Sequence, residues 1–434
     1  MQKIAILGMG SSGISATRLA LAKKFRVHCI DSRPNAPTFV GAQHHYGDAP
    51  FDLTKDFDAL IVSPGVTSKH PLIQSALQQE IPVIGELGFA TQWINIPILA
   101  ITGTNGKSST AWYTHQLLRK IGRKSFIGGN FGIAVSDLVV EMMDDSQKYD
   151  VAVLEVSSYQ LEFANHFHPH AAVALNLTPD HLARHGTMSE YARCKRQIFA
   201  EMNTQNYAIF PQENTDLQPN TKACKWQLGL FPGAKILEDR IQIQTSKGSH
   251  EIVIADLQLL GRHNYENIAA SALLLQSLDI DISRLPYAEL SALEHRLEKV
   301  QADHRLWIND SKATNIEATI AALESLTDSA IVLLGGAGKE GADYTLLHNL
   351  LKKKAKAIIC FGQSGVEIFE SLSSLDKIYN TVDLSSAIKL SKNISAPQDT
   401  ILLSPACASF DEFNNFEHRG TIFKQLIFKP KEAL

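Results

Sequence analysis

A three-part α/β fold with largely parallel sheets is predicted for this chain from three observations. Apolar strands run into glycine loops at two places, Gly8–Gly13 and Gly103–Gly106. Each loop is followed by a helical pattern. Short apolar strands then alternate with helical stretches through the last third, an order that builds parallel sheets and gathers ligands at the strands' carboxyl ends.

The chain has 434 residues, enough for two or three domains with their own cores. Three are expected: 1–89, 90–293 and 294–434. Apolar residues make up 44% and charged residues 20%, with 41 basic against 45 acidic side chains and a net charge of −4. That balance offers no nucleic-acid surface. No apolar run reaches the roughly 18 residues of a membrane span, and Met1–Gly8 turns into a glycine loop too soon for a signal peptide. The five cysteines are scattered without a C-x-x-C pair, which predicts reduced thiols in a cytoplasmic protein.

The first segment begins with a strand at Lys3–Leu7, then Gly8-Met9-Gly10-Ser11-Ser12-Gly13 and a helix from about Ile14. A second strand, Phe25–Ile30, ends at Asp31, placed for a ribose hydroxyl; this is a Rossmann-like fingerprint that taken alone predicts NAD. Ala59–Val62 forms a third strand leading into Ser63-Pro64-Gly65-Val66.

The pattern restarts around Gly85–Thr91. Strand Pro97–Ile101 precedes Gly103-Thr104-Asn105-Gly106-Lys107-Ser108-Ser109-Thr110 and a helix. Backbone N–H groups and a helix N-terminus can cradle phosphates there, with the lysine reaching the outer ones and the hydroxyl holding Mg²⁺. The loop is short for a P-loop, since Ile101 stands where the first glycine would be. Strand Asp150–Leu154 ends at Glu155, where a P-loop protein places its metal-holding carboxylate. In Ser157-Ser158-Tyr159-Gln160, helix capping and ligand binding are equally open readings. Strand Ala171–Asn176 leads to Asp180-His181, where His181, taken with Glu155, is a second candidate metal ligand. Lys195 lies in an apparent helix, Tyr191–Phe199, where a solvated surface lysine is the simpler reading. Residues 207–260 alternate at period two, a small β-rich excursion. Asn264 and Asn267 share a face at a helix start and could cap it or contact a purine.

The last segment predicts strands at Arg305–Ile308, Ala330–Leu334, Ala357–Phe361 and Thr400–Leu403, a second Rossmann-like unit. Charged strings sit at its element ends: His295-Arg296-Leu297-Glu298, Asp310-Ser311-Lys312-Ala313-Thr314 and Gly335-Gly336-Ala337-Gly338-Lys339. Generic folding does not require the string Ser404-Pro405-Ala406-Cys407-Ala408-Ser409-Phe410-Asp411 or its continuation to Phe416 and Gly420.

At these residues the sequence resembles the Mur ligases, ATP-dependent amide ligases of peptidoglycan synthesis in cell-wall biogenesis, along essentially its whole length. The short Gly-Thr-Asn-Gly-Lys-Ser loop is the family's form, and the Ser404–Gly420 string is similar to its D-glutamate-adding branch. The resemblance implies addition of D-glutamate to UDP-N-acetylmuramoyl-L-alanine through an acyl phosphate, by a cytoplasmic monomer. It implies ATP and two Mg²⁺ ions as cofactors, with Lys107, Glu155, His181 and Lys195 catalytic. Ser108, Glu155, His181 and a CO₂-derived carbamate on Lys195 would hold metal. Gly103–Ser109, Asn264, Asn267, Arg296, Asp310 and Lys312 would surround ATP. Ser11, Asp31, Ser32, Arg33, Gly65 and Asn130 would meet the UDP substrate, reusing the first glycine loop, and Ser157 and Gln160 would be further substrate-binding residues. Thr314, Lys339, Ser409, Phe410 and Phe416 would hold D-glutamate. A nicotinamide oxidoreductase and a non-catalytic nucleotide sensor are the competing expectations.

Overall fold

A computed structural model describes residues 2–49, 51–259, 261–339 and 341–430. It contains three sheets, in agreement with the predicted α/β class. The first is built from β1 (Lys3–Leu7), β2 (Arg26–Asp31), β3 (Ala42–Tyr46), β4 (Ala59–Val62) and β5 (Val83–Gly85), all parallel. Its order is β3-β2-β1-β4-β5. The chain leaves β1 in one direction and returns through β4 on the other side. That reversal opens a crevice at the carboxyl ends of β1 and β4.

The second sheet contains β6 (Ile98–Thr102), β7 (Ser125–Gly129), β8 (Val151–Glu155), β9 (Ala171–Ala174) and β10 (Tyr207–Pro211), followed by β11 (Cys224–Leu228), β12 (Gly233–Ile236), β13 (Arg240–Thr245) and β14 (Gly248–Val253). Its order is β14-β13-β12-β11-β10-β9-β6-β8-β7. Only the β12-β13-β14 end is antiparallel, which is the excursion expected from the period-two pattern. β6 pairs with β8 on one side and β9 on the other. All five of its residues are buried, as a central parallel strand covered on both faces demands.

The third sheet is built from β15 (Glu298–Ala302), β16 (Arg305–Asn309), β17 (Ala330–Gly335), β18 (Ala355–Phe361), β19 (Ile378–Asn380) and β20 (Thr400–Leu403). They lie in the order β15-β16-β20-β17-β18-β19. β15 is antiparallel to β16, and the other pairs are parallel. The loops after β17 and β20 therefore emerge side by side, joined by an Ala337–Ala408 bridge.

The chain forms two compact units, residues 1–257 with 265–290, and 258–264 with 291–434. The first two sheets lie in one unit, with an apolar cluster running from Ile4 through Leu154 to Ala223. The domain boundary expected after residue 89 falls inside the helix Glu86–Thr91. All five cysteines are free thiols. Among the described residues no helix is long and apolar enough to cross a membrane.

Candidate active site

The phosphate loop lies between β6 and the helix Lys107–Lys120. Gly106 sits at φ +86°, and a Cβ there would lie 2.5 Å from Asn267 Oδ1, so only glycine fits. Asn176, just beyond β9, holds the turn from the neighbouring strand. Its Oδ1 accepts from the N–H groups of Thr104 and Asn105 at 3.1 and 2.8 Å. Its Nδ2 donates to the Asn105 carbonyl at 3.1 Å. Two of the N–H groups expected to face an anion are thus committed to Asn176. Lys107 Nζ donates to the carbonyls of Gly103 and Thr104 at 3.0 and 2.9 Å.

Three predicted residues from outside this loop, Glu155, Asn130 and Lys195, converge on it. Ser108 Oγ donates to Glu155 Oε2 at 2.5 Å, and Asn130 Nδ2 donates to Glu155 Oε1 at 2.7 Å. Glu155 is 3% exposed. Lys195 is the third: it is 1% exposed and donates from Nζ to the Gly103 carbonyl at 2.7 Å, with the Tyr191 ring 4.5 Å away. The sequence-only reading of a solvated surface lysine is therefore overturned; the helix Met188–Arg196 turns this side chain inward. Burial, reinforced by the charge of Lys107, holds its amine well below the ordinary lysine range.

His181 caps the short helix Leu182–His185 in a left-handed conformation, φ +55°. Its Nδ1 lies 3.2 Å from the Tyr159 hydroxyl and its Nε2 is 3.4 Å from Asp180 Oδ2. Ser157 proves to be a helix cap: Gln160 donates its N–H to Ser157 Oγ, and the Ser157 N–H donates to Gln160 Oε1 at 2.9 Å.

The crevice of the first sheet is a cavity of about 670 Å³. Ser11, Asp31, Ser32, Arg33, Gly65 and Asn130, the six residues expected to meet the UDP substrate, line it together, joined by Gln160. Gly13 lets the helix Ser11–Ala22 abut the strand end, since a Cβ there would lie 1.9 Å from the Gly8 carbonyl oxygen. Asp31 does not present a free carboxylate to a ribose. Its oxygens accept from the Met9 N–H at 2.6 Å, the Arg33 N–H at 2.8 Å, and Arg33 Nε and Nη2 at 2.9 Å each. These donors, with the Arg33 side chain foremost, hold its pKa well below the usual carboxylate range. The residue offered to a ligand is Arg33, whose side chain is 60% exposed. The carboxylate that the nicotinamide reading needs is already saturated.

In the second unit Arg419 is fully buried and donates to the carbonyls of Ser311, Cys407 and Ala408 at 2.8, 3.0 and 3.1 Å. It ties the loops after β16 and β20. Lys312 Nζ lies 4.0 Å over the Phe416 ring. Thr314 follows two residues on, its N–H donating to the Lys312 carbonyl at 2.7 Å. Ser409 is buried, Phe410 is 74% exposed, and Lys339 is exposed beyond the Ala337–Ala408 bridge. Asp310 is a buried tie: it accepts from Ser404 Oγ at 2.9 Å and from the Leu297 N–H at 3.3 Å, and burial pushes its pKa up to about 7. Arg296 is half-buried, while Asn264 and Asn267 are buried. Asn267 Oδ1 accepts from Thr110 Oγ1 at 3.1 Å, which makes it a support of the phosphate loop.

Sequence reasoning gave no role to Asn176, Tyr191, Arg184 or Arg419. For Asn176 the available signal was a polar residue closing an apolar strand. Arg419 lay within the singled-out C-terminal string.

Three family descriptions match the chain in order: the Mur ligase MurD-like N-terminal domain over 2–85, the Mur ligase middle domain over 101–275, and the Mur ligase glutamate ligase domain over 295–407. The chain is 35% identical to the UDP-N-acetylmuramoylalanine–D-glutamate ligase of Koribacter versatilis, over 99% of this chain and 98% of that one. It is 33% identical to the ligase of that name from Pelotomaculum thermopropionicum, over 100% and 98%. Among solved structures it is similar to MurF from Acinetobacter baumannii, with a TM-score of 0.62 at 18% identity over 98% and 93% of the two chains. UDP-N-acetylmuramate–alanine ligase MurC from Thermotoga maritima gives a TM-score of 0.57 at 19% identity over 98% and 99%. At these identities the two structures speak for the fold.

Proposed function

This chain belongs to the Mur ligase family, and on that premise we propose that it joins D-glutamate to UDP-N-acetylmuramoyl-L-alanine with ATP, in peptidoglycan precursor synthesis. One observation carries the chemistry: the Gly-Lys-Ser loop, the strand-end carboxylate of Glu155 and the buried Lys195 meet around the same turn. Whole-length relatives of that name carry the choice of amino acid.

The first-sheet cavity takes the UDP portion, with Arg33 available to its phosphates. The L-alanyl carboxylate attacks the γ-phosphate of ATP, releasing ADP and leaving an acyl phosphate. The amine of D-glutamate then adds to the acyl carbon, and collapse of the tetrahedral species expels phosphate and leaves an amide. Positioning and charge neutralisation supply most of such catalysis. Lys107 brings a cation to the transferring phosphoryl group.

A hydroxyl and a buried carboxylate in contact are hard oxygen donors suited to Mg²⁺, so Ser108 and Glu155 fit one ion. His181 and a carbamate on Lys195 would hold a second. Magnesium there would neutralise charge on the phosphoryl oxygens. The depressed pKa of Lys195 favours the carbamate, because only an uncharged amine attacks CO₂. The product would be an anion beside Lys107. Thr314, Lys339, Ser409, Phe410 and Phe416 are assigned to D-glutamate, and 1–89, 90–293 and 294–434 to the UDP substrate, ATP and the amino acid. A cytoplasmic monomer completes the reading.

The test is phosphate release from ATP that requires both UDP-N-acetylmuramoyl-L-alanine and D-glutamate. Release supported by L-alanine or a folate instead overturns the assignment.

A further inference from the structure

One wall of the first-sheet cavity is held by a side chain from elsewhere in the same unit. Arg184, three residues beyond His181, donates from Nη2 to the Val66 carbonyl at 2.6 Å and to the Pro64 carbonyl at 3.5 Å. Pro64, Gly65 and Val66 line the cavity. The same guanidinium forks onto Glu162, Nε to Oε1 at 2.9 Å and Nη2 to Oε2 at 2.7 Å. It lies 5.0 Å from the ring of Tyr159, whose hydroxyl is the partner of His181 Nδ1. Both members of the ion pair are largely buried, with side chains 11% and 12% exposed.

A metal is the competing reading of this cluster, because Glu162, His185 and Cys194 each offer a ligand atom within 4.8 Å of one another. Both Glu162 oxygens, however, already accept from Arg184. The guanidinium supplies the positive charge there.

We propose that Arg184 is a positioning residue that couples filling of the first-sheet cavity to the setting of His181, so that UDP-substrate binding and divalent-metal binding favour each other. The inference rests on the functional reading above. A ligand pressing on the 64–66 turn acts on Arg184 directly through two carbonyls. Arg184 shares its short helix with the His181 cap and touches the ring that His181 bonds. The planar fork fixes this geometry: Nε on Glu162 Oε1 sets the orientation in which Nη2 meets both Glu162 Oε2 and the turn, and a lysine has no second nitrogen to hold that orientation. Coupling between two sites is reciprocal.

The experiment measures Mn²⁺ affinity by loss of the free-ion EPR signal, with ADP present, with and without UDP-N-acetylmuramoyl-L-alanine. In the wild type the substrate should tighten Mn²⁺ by about fivefold or more. In Arg184→Lys, which keeps the charge, the ratio should fall to near one while thermal unfolding stays cooperative. Wild-type coupling in Arg184→Lys, or none in the wild type, overturns the proposal. If the variant does not fold, amide exchange in the wild type decides: substrate should protect 64–66 and 181–185 together, and protection of the first segment alone refutes the coupling. A wild type that binds no UDP substrate rejects the functional reading by itself. The clamp is then judged on the free protein, where Arg184→Met should loosen both segments, and loosening of only one refutes it.

Discussion

The Ser108 hydroxyl reaches Glu155 Oε2 across 2.5 Å, joining the first turn of the phosphate-loop helix to the carboxyl end of β8. Glu155 is held by Ser108 and Asn130, both neutral donors. A buried carboxylate gripped by neutral groups is poised for a cation. Glu155→Ala should lower Mg²⁺-dependent ADP formation on the order of a hundredfold while the far-UV circular dichroism stays unchanged. Activity within a few-fold of wild type would remove Glu155 from the metal site.

Lys195→Ala should lose most ligase activity, and a short carboxylic acid added to the buffer should restore part of it by standing in for the carbamate. The cavity left by a side chain that is 1% exposed gives that acid a place to bind. Full activity in the unrescued variant would show that the buried amine acts without modification.

Asp31→Asn should weaken the UDP substrate about 10- to 100-fold, because an amide cannot hold the Arg33 fork and the Met9 N–H at once. ATP affinity, measured by calorimetry in the absence of UDP substrate, should stay near wild type. Equal loss of both ligands would mean that Asp31 serves the fold rather than the cavity.

Glu86 predicts a pH dependence of stability. It is 1% exposed; Oε1 accepts from the Ser136 N–H at 2.7 Å, and Oε2 has no partner among the described residues. Burial raises its pKa from 4.5 to about 7. Below pH 4.5 the carboxyl is neutral in both states and costs nothing. As pH rises the unfolded chain ionises first, so stability falls through this window and the whole cost, about 3 kcal/mol, remains above it. Glu86→Gln should gain on the wild type by that order between about pH 4 and pH 8 in urea unfolding. An unchanged difference across the range would contradict the shift.

The central strands were legible in the sequence because a parallel strand buried on both faces must be an apolar run, as β6, β8 and β17 are up to their last residue. The strands β3, β5, β7, β15 and β19 were not. β3 reads Ala-Gln-His-His-Tyr and is nowhere fully buried, and β7 carries two glycines, so neither shows a strand's pattern. The UDP-substrate residues could be placed because a glycine loop and a strand-end acid have fixed places in such a sheet. Lys195 could not, since a helical lysine looks the same in sequence whether it faces solvent or a loop carbonyl. Its burial is decided by where the helix Met188–Arg196 packs, and only the fold brings it to Gly103, 92 positions earlier in the chain.

The grip of Asn176 on Thr104 and Asn105 bears on how this loop tolerates Ile101. A longer glycine-rich loop shapes its phosphate cradle with its own backbone. Here β6 runs straight through the position of the first glycine, and an amide borrowed from the adjacent strand templates the shorter turn. Shape is thereby set in advance, so nucleotide capture need not spend binding energy on organising the turn. Residue 176 and the phosphate loop act as one structural unit, and a change at either should be tolerated only with a matching change at the other.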